Sequence, residues 1–209
     1  MIELGTTDIG KMYLGETEIA KAYLGESLVY DAGGSPTPPT PQVTYIANPS
    51  TAYINTGITM ADTDKLVATF SHHTGNFITG KNASSGAEAL FIYNNVVQWK
   101  NRPSGFTIND GNQHTIELSS GVCVVDGVTY TFTGGGISLT DAILVCKAQG
   151  DNRQSTCRIY AWDILDTNGN YRFKGRPAYQ DNKYGLYDEV SGTFFSSASN
   201  VEFTGEQNT

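Results

Sequence analysis

The first 31 residues repeat with a period of ten, and this repeat limits how the start of the chain can fold. Its units are residues 2–11, 12–21 and 22–31, and each has Leu-Gly at its third and fourth positions and Ile or Val at its eighth. A glycine between two short apolar runs is typical of a tight turn between strands. Each unit is therefore predicted to be a short strand, a glycine turn and a second short strand.

About thirty residues are too few to fold alone without a disulfide, a metal or a partner. Six acidic residues against two lysines also give this segment a net charge of −4. We therefore predict that residues 1–32 form a β anchor or oligomerisation segment, with an edge hairpin packed on the main domain as the alternative. The apolar positions of the anchor are Leu4, Ile9, Leu14, Ile19, Leu24 and Val29.

Residues 33–41 have the composition of a linker, because two glycines are followed by alternating Pro and Thr. Such a stretch favours an extended polyproline conformation of about 3.1 Å per residue. A semi-rigid spacer suits a protein whose two ends have different functions.

Residues 42–209 are predicted to form one all-β domain, since the 23 Gly, 12 Tyr and 9 Phe of the chain are typical of pleated strands and tight turns. No window shows convincing helical periodicity. Asp126-Gly127 predicts a two-residue type I′ hairpin turn, and Asn168-Gly169 a second one. The candidate strands are Leu66–Phe70, Phe77–Thr79, Leu90–Tyr93, Val96–Trp99, Thr115–Leu118, Val122–Val125, Val128–Phe132, Ile143–Cys146 and Arg158–Leu165.

Composition also bears on partners. A net charge of −8 is the wrong sign for a protein that binds a phosphate backbone. No apolar run approaches the roughly 18 to 20 residues that span a bilayer, and the start lacks the features of a secretory signal. We expect a protein made in the cytoplasm that neither binds nucleic acid nor inserts into a membrane. Its three cysteines, Cys123, Cys146 and Cys157, are expected to be reduced thiols on strands, with a Cys146–Cys157 bridge as the alternative.

Two parts of the main domain resemble a known family. Residues 45–57, Tyr-Ile-Ala-Asn-Pro-Ser-Thr-Ala-Tyr-Ile-Asn-Thr-Gly, resemble the opening of laminin-G-like, concanavalin A-like jelly-roll domains that recur in bacteriophage structural proteins and gut-bacterial surface proteins. The closing strands of those domains are similar to residues 158–165, 176–178, 185–188, 191–195 and 203–205. Between these two parts of the domain, only residues 114–118 and 124–127 resemble the family. The resemblance implies a jelly-roll β-sandwich.

The decapeptides are similar to the opening of virion proteins of phages that infect gut bacteria. This second resemblance implies a virion appendage, either a head fibre that decorates the capsid or a tail protein. Its expected partners are other capsid or tail proteins and further copies of itself. Three-fold closure is favoured by resemblance to phage fibres, with a dimer or a docked monomer as the alternatives.

Motifs for catalysis are missing from the predicted sandwich, so we expect no enzyme, no catalytic residue and no cofactor. Glu16-Thr-Glu18 and Asp62-Thr-Asp64 have paired carboxylates, but the first lies in the repeats and the second in a polar turn. No metal site is predicted, because the adjacent His72 and His73 point to opposite faces of a strand. Residues 166–170 imitate a calcium loop with its glycine misplaced, although a loop calcium stays open as an alternative.

Carbohydrate recognition is the remaining chemical candidate. Sugars are bound by an aromatic ring on their apolar face and by polar side chains on their hydroxyls. Around two turns, the chain offers that mixture at Tyr93, Trp99, Asn101 and Arg102, although the tryptophan of such a hairpin can instead lie in the core. We therefore predict a virion adhesin for host-surface glycans, with a non-catalytic carbohydrate-binding module of a bacterial surface protein as the alternative.

Overall fold

The computed structural model describes residues 12–14, 17–19, 21–24, 27–31, 43–61, 63–75, 78–79, 90–93, 96–99, 102–108, 110–119, 122–131, 142–147 and 154–207. In this part of the chain every regular element is a strand, which confirms the all-β prediction. The chain divides into two compact units, Met1–Thr37 and Pro38–Thr209. The boundary falls within the Pro-rich residues 33–41, while the predicted division into anchor, linker and sandwich stays a prediction.

Two hairpins are described in the N-terminal unit, one in each of the second and third decapeptides. Strand β1 (Met12–Leu14) pairs with β2 (Thr17–Ile19), and β3 (Lys21–Leu24) pairs with β4 (Ser27–Asp31). Leu4 and Ile9 lie outside the described residues. The other four predicted anchor positions fall on these strands, and their role in anchoring remains a prediction.

The second unit is built on one ten-stranded antiparallel sheet. Its strands follow the order β13-β12-β11-β7-β15-β16-β17-β18, with β5 pairing both β15 and β19. In chain order they are β5 (Val43–Asn48), β7 (Lys65–Gly75), β11 (Gln113–Ser119), β12 (Val122–Val125), β13 (Val128–Thr131), β15 (Ser155–Leu165), β16 (Tyr171–Gln180), β17 (Lys183–Asp188), β18 (Thr193–Phe195) and β19 (Thr204–Gln207).

The described part of this unit also contains two smaller sheets. Strand β6 (Ile54–Asn55) pairs with β14 (Leu144–Val145). A three-stranded sheet is made of β8 (Leu90–Tyr93), β9 (Val96–Trp99) and β10 (Arg102–Thr107).

The long strand β15 organises the main sheet. One of its edges pairs with β7 from Ser155 to Leu165. Its other edge is shared, because Cys157–Ile159 pair with β5 and Trp162–Leu165 pair with β16. A register shift between Ile159 and Ala161 separates these two halves. The strand is therefore covered on both edges and supports three neighbours.

Alternation along the strands puts one face of the main sheet against an apolar core. In β7, Leu66, Ala68 and Phe70 are buried while the residues between them are partly exposed. Residues from outside the main sheet, including Ile54 of β6 and Val145 of β14, belong to the same core cluster. They cover the buried face, so the arrangement is sandwich-like and compatible with a β-sandwich.

The turn at Asp126-Gly127 is confirmed, because Val125 pairs with Val128 and the turn residues have φ of 48° and 82°. The prediction of a two-residue turn at Asn168-Gly169 was wrong. Leu165 pairs with Tyr171, so the connection has five residues. The Asp166 carboxylate widens it by accepting hydrogen bonds from the backbone of Asn168 and Asn170.

Most predicted strands are present with small changes of boundary, but the one at Phe77–Thr79 is a second error. Ile78 and Thr79 are buried in a bend, and Phe77 lies outside the described residues. Their polar groups bond to the segment around β14. The Ile78 carbonyl accepts from the Cys146 N–H at 2.7 Å, and Thr79 Oγ1 donates to the Leu144 carbonyl at 2.6 Å.

Candidate functional site

The predicted glycan-binding residues fall on the small three-stranded sheet. Trp99 ends β9 and is the register partner of both Leu90 and Arg102, so two of the predicted residues lie opposite one another. Tyr93 is paired with Val96, at the other end of β9. Asn101 lies outside the described residues. The backbone thus places Trp99 and Arg102 together, while the use of these side chains in binding stays a prediction.

A second aromatic cluster lies on the main sheet and was not singled out from the sequence. The rings of Tyr45 on β5 and Tyr160 on β15 meet edge to face, with centroids 5.7 Å apart. The guanidinium of the exposed Arg158 lies 4.5 Å from the centre of the Tyr45 ring. We call these three side chains the Tyr45 patch.

The sequence did carry a signal for this patch. Residues two apart on a strand share a face, so Arg158 and Tyr160 had to lie side by side on β15. The antiparallel pairing of Ile46 with Ile159 then puts Tyr45 across from Tyr160. What the sequence could not show was which strand pairs with this edge of β15. The patch combines aromatic carbon surface with a multiple hydrogen-bond donor, which suits a sugar ring and its hydroxyls.

A carboxylate–imidazole–carboxylate cluster lies at the end of β11. His114 Nδ1 is 2.6 Å from Asp126 Oδ2, and its Nε2 is 3.0 Å from Asp110 Oδ1. Burial disfavours the charged imidazole, but the hydrogen bonds to Asp126 and Asp110 outweigh it and raise the pKa of His114 above 6.5.

Hydrogen bonds to the Asn112 backbone and to His114 lower the pKa of Asp110 to about 2. The pKa of Asp126 is lowered too: burial opposes this, but the His114 and Thr115 hydrogen bonds outweigh the burial. A glycosidase acid needs a raised pKa, so this arrangement suits a structural ion cluster better than general acid catalysis.

Asp163 is the described carboxylate whose pKa is raised. Burial is the largest cause, and it outweighs the opposing effect of Arg176. The guanidinium donates to both carboxylate oxygens, from Nη1 to Oδ1 at 2.5 Å and from Nη2 to Oδ2 at 3.1 Å. With both oxygens engaged, Asp163 ties β15 to β16.

The residues considered for a metal site lie on β7 and in the loop that follows β15. His72 is buried and His73 exposed, in agreement with their expected placement on opposite faces of β7. The carboxylate of Asp166 accepts from the backbone of Asn168 and Asn170 and from the Asn170 amide. Among the residues that the structure describes, no group of three or more His, Cys, Asp or Glu side chains is arranged to hold a metal ion.

Within the described ranges, no helix has the length and apolar character needed to cross a membrane. Comparison of the chain with models of protein families, with curated protein sequences and with solved structures finds no significant match.

Proposed function

We propose that this chain is a non-enzymatic structural protein of a phage virion, a head fibre or tail appendage that displays a lectin-like sandwich for adhesion to host-surface glycans. The observation that carries the proposal is the division of the chain. An N-terminal unit with repeat hairpins is separated from a large β unit at a boundary inside a Pro-rich segment. In this proposal the first unit anchors the protein and the second adopts the laminin-G-like jelly roll.

The anchoring role rests on the size and charge of the first unit. Its two described hairpins have strands of three to five residues, which bury little apolar surface by themselves. The unit needs a covering partner, and identical copies or other virion proteins supply one. Closure with identical copies also pairs the open strand edges.

The adhesive role rests on two groups of residues in the second unit. One is the Tyr45 patch on the main sheet, and the other is the Trp99–Arg102 pair in the register of the small sheet. Each combines an aromatic residue with an arginine, the chemistry that recognises a sugar ring. A rigid sheet holds such groups in place before the ligand arrives, which lowers the entropic cost of binding.

The non-enzymatic character is supported by how several carboxylates of the second unit are used. Asp126 is held by His114 and Asp163 by Arg176. Asp188 accepts hydrogen bonds from the backbone N–H groups of Lys174, Val190 and Ser191. Carboxylates engaged in this way stabilise turns and strand pairs and are poorly placed to protonate a glycosidic oxygen.

The adhesive part is tested by binding of the full chain to a printed panel of bacterial surface polysaccharides. We expect binding to at least one glycan, with a loss of affinity of up to about tenfold in Arg158→Ala/Tyr160→Ala or in Trp99→Ala, since one aromatic contact contributes about 0.5–1.5 kcal/mol. The matched control is Tyr171→Ala, which removes an exposed tyrosine elsewhere. The adhesive role would be contradicted if the chain bound neither a glycan of the panel nor a host cell. The non-enzymatic character would be contradicted if a bound glycan released new reducing ends.

The virion part is tested by mass spectrometry of purified particles of the phage that encodes the chain. We expect the protein in a fixed stoichiometric ratio to the major capsid protein. Its presence on the surface of uninfected bacteria and its absence from particles would favour a carbohydrate-binding module of a bacterial surface system.

A further inference from the structure

Two cysteines from different parts of the second unit meet in its core. Cys146 follows β14 and Cys157 lies in β15, and both side chains are buried. Their sulfur atoms are 3.1 Å apart. A disulfide requires a sulfur–sulfur distance of about 2.05 Å, so closing the remaining gap of about 1 Å needs only small side-chain rotations.

The backbone at Cys146 is an independent sign that this position is unusual. Four described non-glycine residues have positive φ, and Cys146 is one of them at 69°. The other three, Asp126, Asp181 and Asn182, are Asp or Asn in two-residue hairpin turns, where this conformation is common. Cys146 is in no such turn, and cysteine rarely adopts a left-handed conformation. Strain of this kind persists only where the surrounding structure imposes it, and it is often found at functional positions.

The backbone is held by hydrogen bonds on both sides of the segment that connects Cys146 to Cys157. The Cys146 N–H donates to the Ile78 carbonyl at 2.7 Å, and Lys147 forms an isolated antiparallel bridge with Gln154. Cys157 is held in β15 between β5 and β7, opposite Asn48 and His72. Backbone hydrogen bonds and strand pairing therefore fix the positions of both cysteines, and these positions bring the two thiols together.

We propose that Cys146 and Cys157 form an intrachain disulfide when the protein equilibrates with a disulfide oxidant such as oxidised glutathione. One cysteine thiolate attacks the glutathione disulfide and releases one reduced glutathione, which leaves a mixed disulfide. The second thiolate attacks the protein sulfur of that mixed disulfide and releases the other glutathione. The two cysteines lose two electrons and two protons, and the glutathione disulfide is reduced to two thiols.

This bridge is a covalent modification that does not depend on the proposed function. It would close the segment 147–156 and thereby restrict the unfolded chain, which stabilises the native state. Such bonds persist wherever the protein meets oxidising conditions. Burial raises the pKa of Cys146 well above 9.0, so the folded, reduced protein should react slowly, and the bond should form most readily as the chain folds.

Cys123 provides an internal control. It is buried on β12, and burial raises its pKa to about 12. The proposed bridge would leave this thiol as the one that remains free.

The test is to refold the full chain from denaturant in a buffer of reduced and oxidised glutathione, and to incubate the folded chain in the same buffer. Free thiols are then counted by alkylation under denaturing conditions and mass spectrometry. We expect one alkylated cysteine in the oxidised protein, three after treatment with dithiothreitol, and a peptide map that joins Cys146 to Cys157. The oxidised form should melt several degrees above the reduced form.

Variants keep the test specific. Cys123→Ala should still form the bridge and show the same dithiothreitol-sensitive rise in Tm. Cys146→Ala and Cys157→Ala should each retain two free thiols and lose that rise. If a single variant fails to fold, the peptide map of the wild-type chain still decides. Three free thiols in the refolded wild-type chain, or a map that joins Cys123 to another cysteine, would overturn the proposal.

Discussion

His114 on β11 is tied to Asp126 in the turn that follows β12, with 2.6 Å between Nδ1 of the imidazole and Oδ2 of the carboxylate. The second carboxylate oxygen of Asp126 accepts from the Thr115 N–H at 2.8 Å, and the Asp126 N–H donates to the Thr115 carbonyl at 3.0 Å. One residue thus forms the turn and fastens it back onto the neighbouring strand. The ion cluster at this end of the sheet should therefore affect stability in a pH-dependent manner.

We predict that stability falls as the pH rises above the ordinary range of histidine. The folded pKa of His114 lies above its usual 6.5, so its contribution is complete below 6.5 and is lost as the pH rises through the folded value. The lowered pKa values of Asp110 and Asp126 act in the opposite direction. Their contribution is present above 3.8 and is lost as the pH falls through the folded values. Urea denaturation across this range should show maximum stability between the two limits.

The variant His114→Gln checks this. Its free energy of unfolding near pH 6 should be about 1–2 kcal/mol lower than that of the wild type, and it should decline less as the pH rises further. The exposed His73 on β7 gives the matched control, because His73→Gln removes an imidazole whose Nε2 lies 3.4 Å from the Ser71 hydroxyl. An unchanged pH profile in His114→Gln would contradict the assignment.

Arg176→Met should be strongly destabilising. It leaves the buried Asp163 carboxylate without its partner, which costs about 3 kcal/mol, at the lower end of the usual range because the Arg176 side chain is 28% exposed. Replacing both members, in Asp163→Leu/Arg176→Met, should bring stability back to within about 1 kcal/mol of the wild type. A double variant as unstable as the single one, measured by urea denaturation, would show that the pair is needed for more than mutual compensation.

Gly185→Ala should disrupt the pairing of β17 with β18. A Cβ atom at this position would lie 2.1 Å from the Phe195 carbonyl oxygen, and that backbone atom is fixed by the ladder. We expect a loss of about 3 kcal/mol or failure to fold. Gly57→Ala is the comparison, because a Cβ there meets no atom within 4 Å and only the positive φ of 70° is unfavourable. That variant should lose about 1 kcal/mol in thermal denaturation.

A truncated chain of residues 42–209 should fold and melt within about 3 °C of the full chain. The second unit has its own core, and residues 33–41 carry little apolar material that could hold the two units together. Calorimetry of both proteins tests this. An aggregated or molten fragment would contradict the division between anchor and displayed domain.

The full chain should assemble through residues 1–31, with a trimer as the expected form. Its net negative charge should oppose assembly at 0.01 M salt, where charges interact over roughly 30 Å, and less so at 0.15 M, where the range falls to about 8 Å. Light scattering at both salt concentrations measures this. A full chain that stays monomeric at 0.15 M and tens of micromolar would exclude self-assembly.

Leu14→Asp/Ile19→Asp should abolish this assembly and leave residues 42–209 folded. Both residues belong to the β1–β2 hairpin, and burying their new charges without partners would cost several kcal/mol. Thr17→Asp/Ser27→Asp adds the same charge at polar strand positions and should retain assembly. Equal loss in both double variants would mean that charge alone, and not the apolar positions, controls association.

Local rules predicted the elements that depend on neighbouring residues. Asp126-Gly127 has the two residue types that tolerate positive φ, and the turn formed there. The turn at Asp181-Asn182 has the same conformation without glycine, with φ of 53° and 62°, so a pattern based on glycine does not predict it. At Asn168-Gly169 the deciding residue was Asp166, whose carboxylate organised a wider loop.

Elements that depend on distant pairing were harder to predict. Ile78 is apolar and β-branched, but its carbonyl bonds to Cys146 and not to an adjacent strand. The Tyr45 patch likewise needs β5 beside β15, a pairing of residues more than a hundred positions apart. The carboxylate pairs with His114 and Arg176 also join strands, so their altered pKa values had no signal in the linear sequence.

The pairing of β5 with β19 places Val43 opposite Gln207, so the first and last strands of the second unit lie side by side. The two ends of this unit can therefore be joined, and new ends can be opened in a turn, without separating paired strands. A circular permutant that joins residue 207 to residue 43 through a short linker and opens between Asp126 and Gly127 would keep every strand of the sheet with its neighbours, because exposed turns tolerate new termini. Its ends would then lie at the β12–β13 turn, where a label or a second protein could be attached.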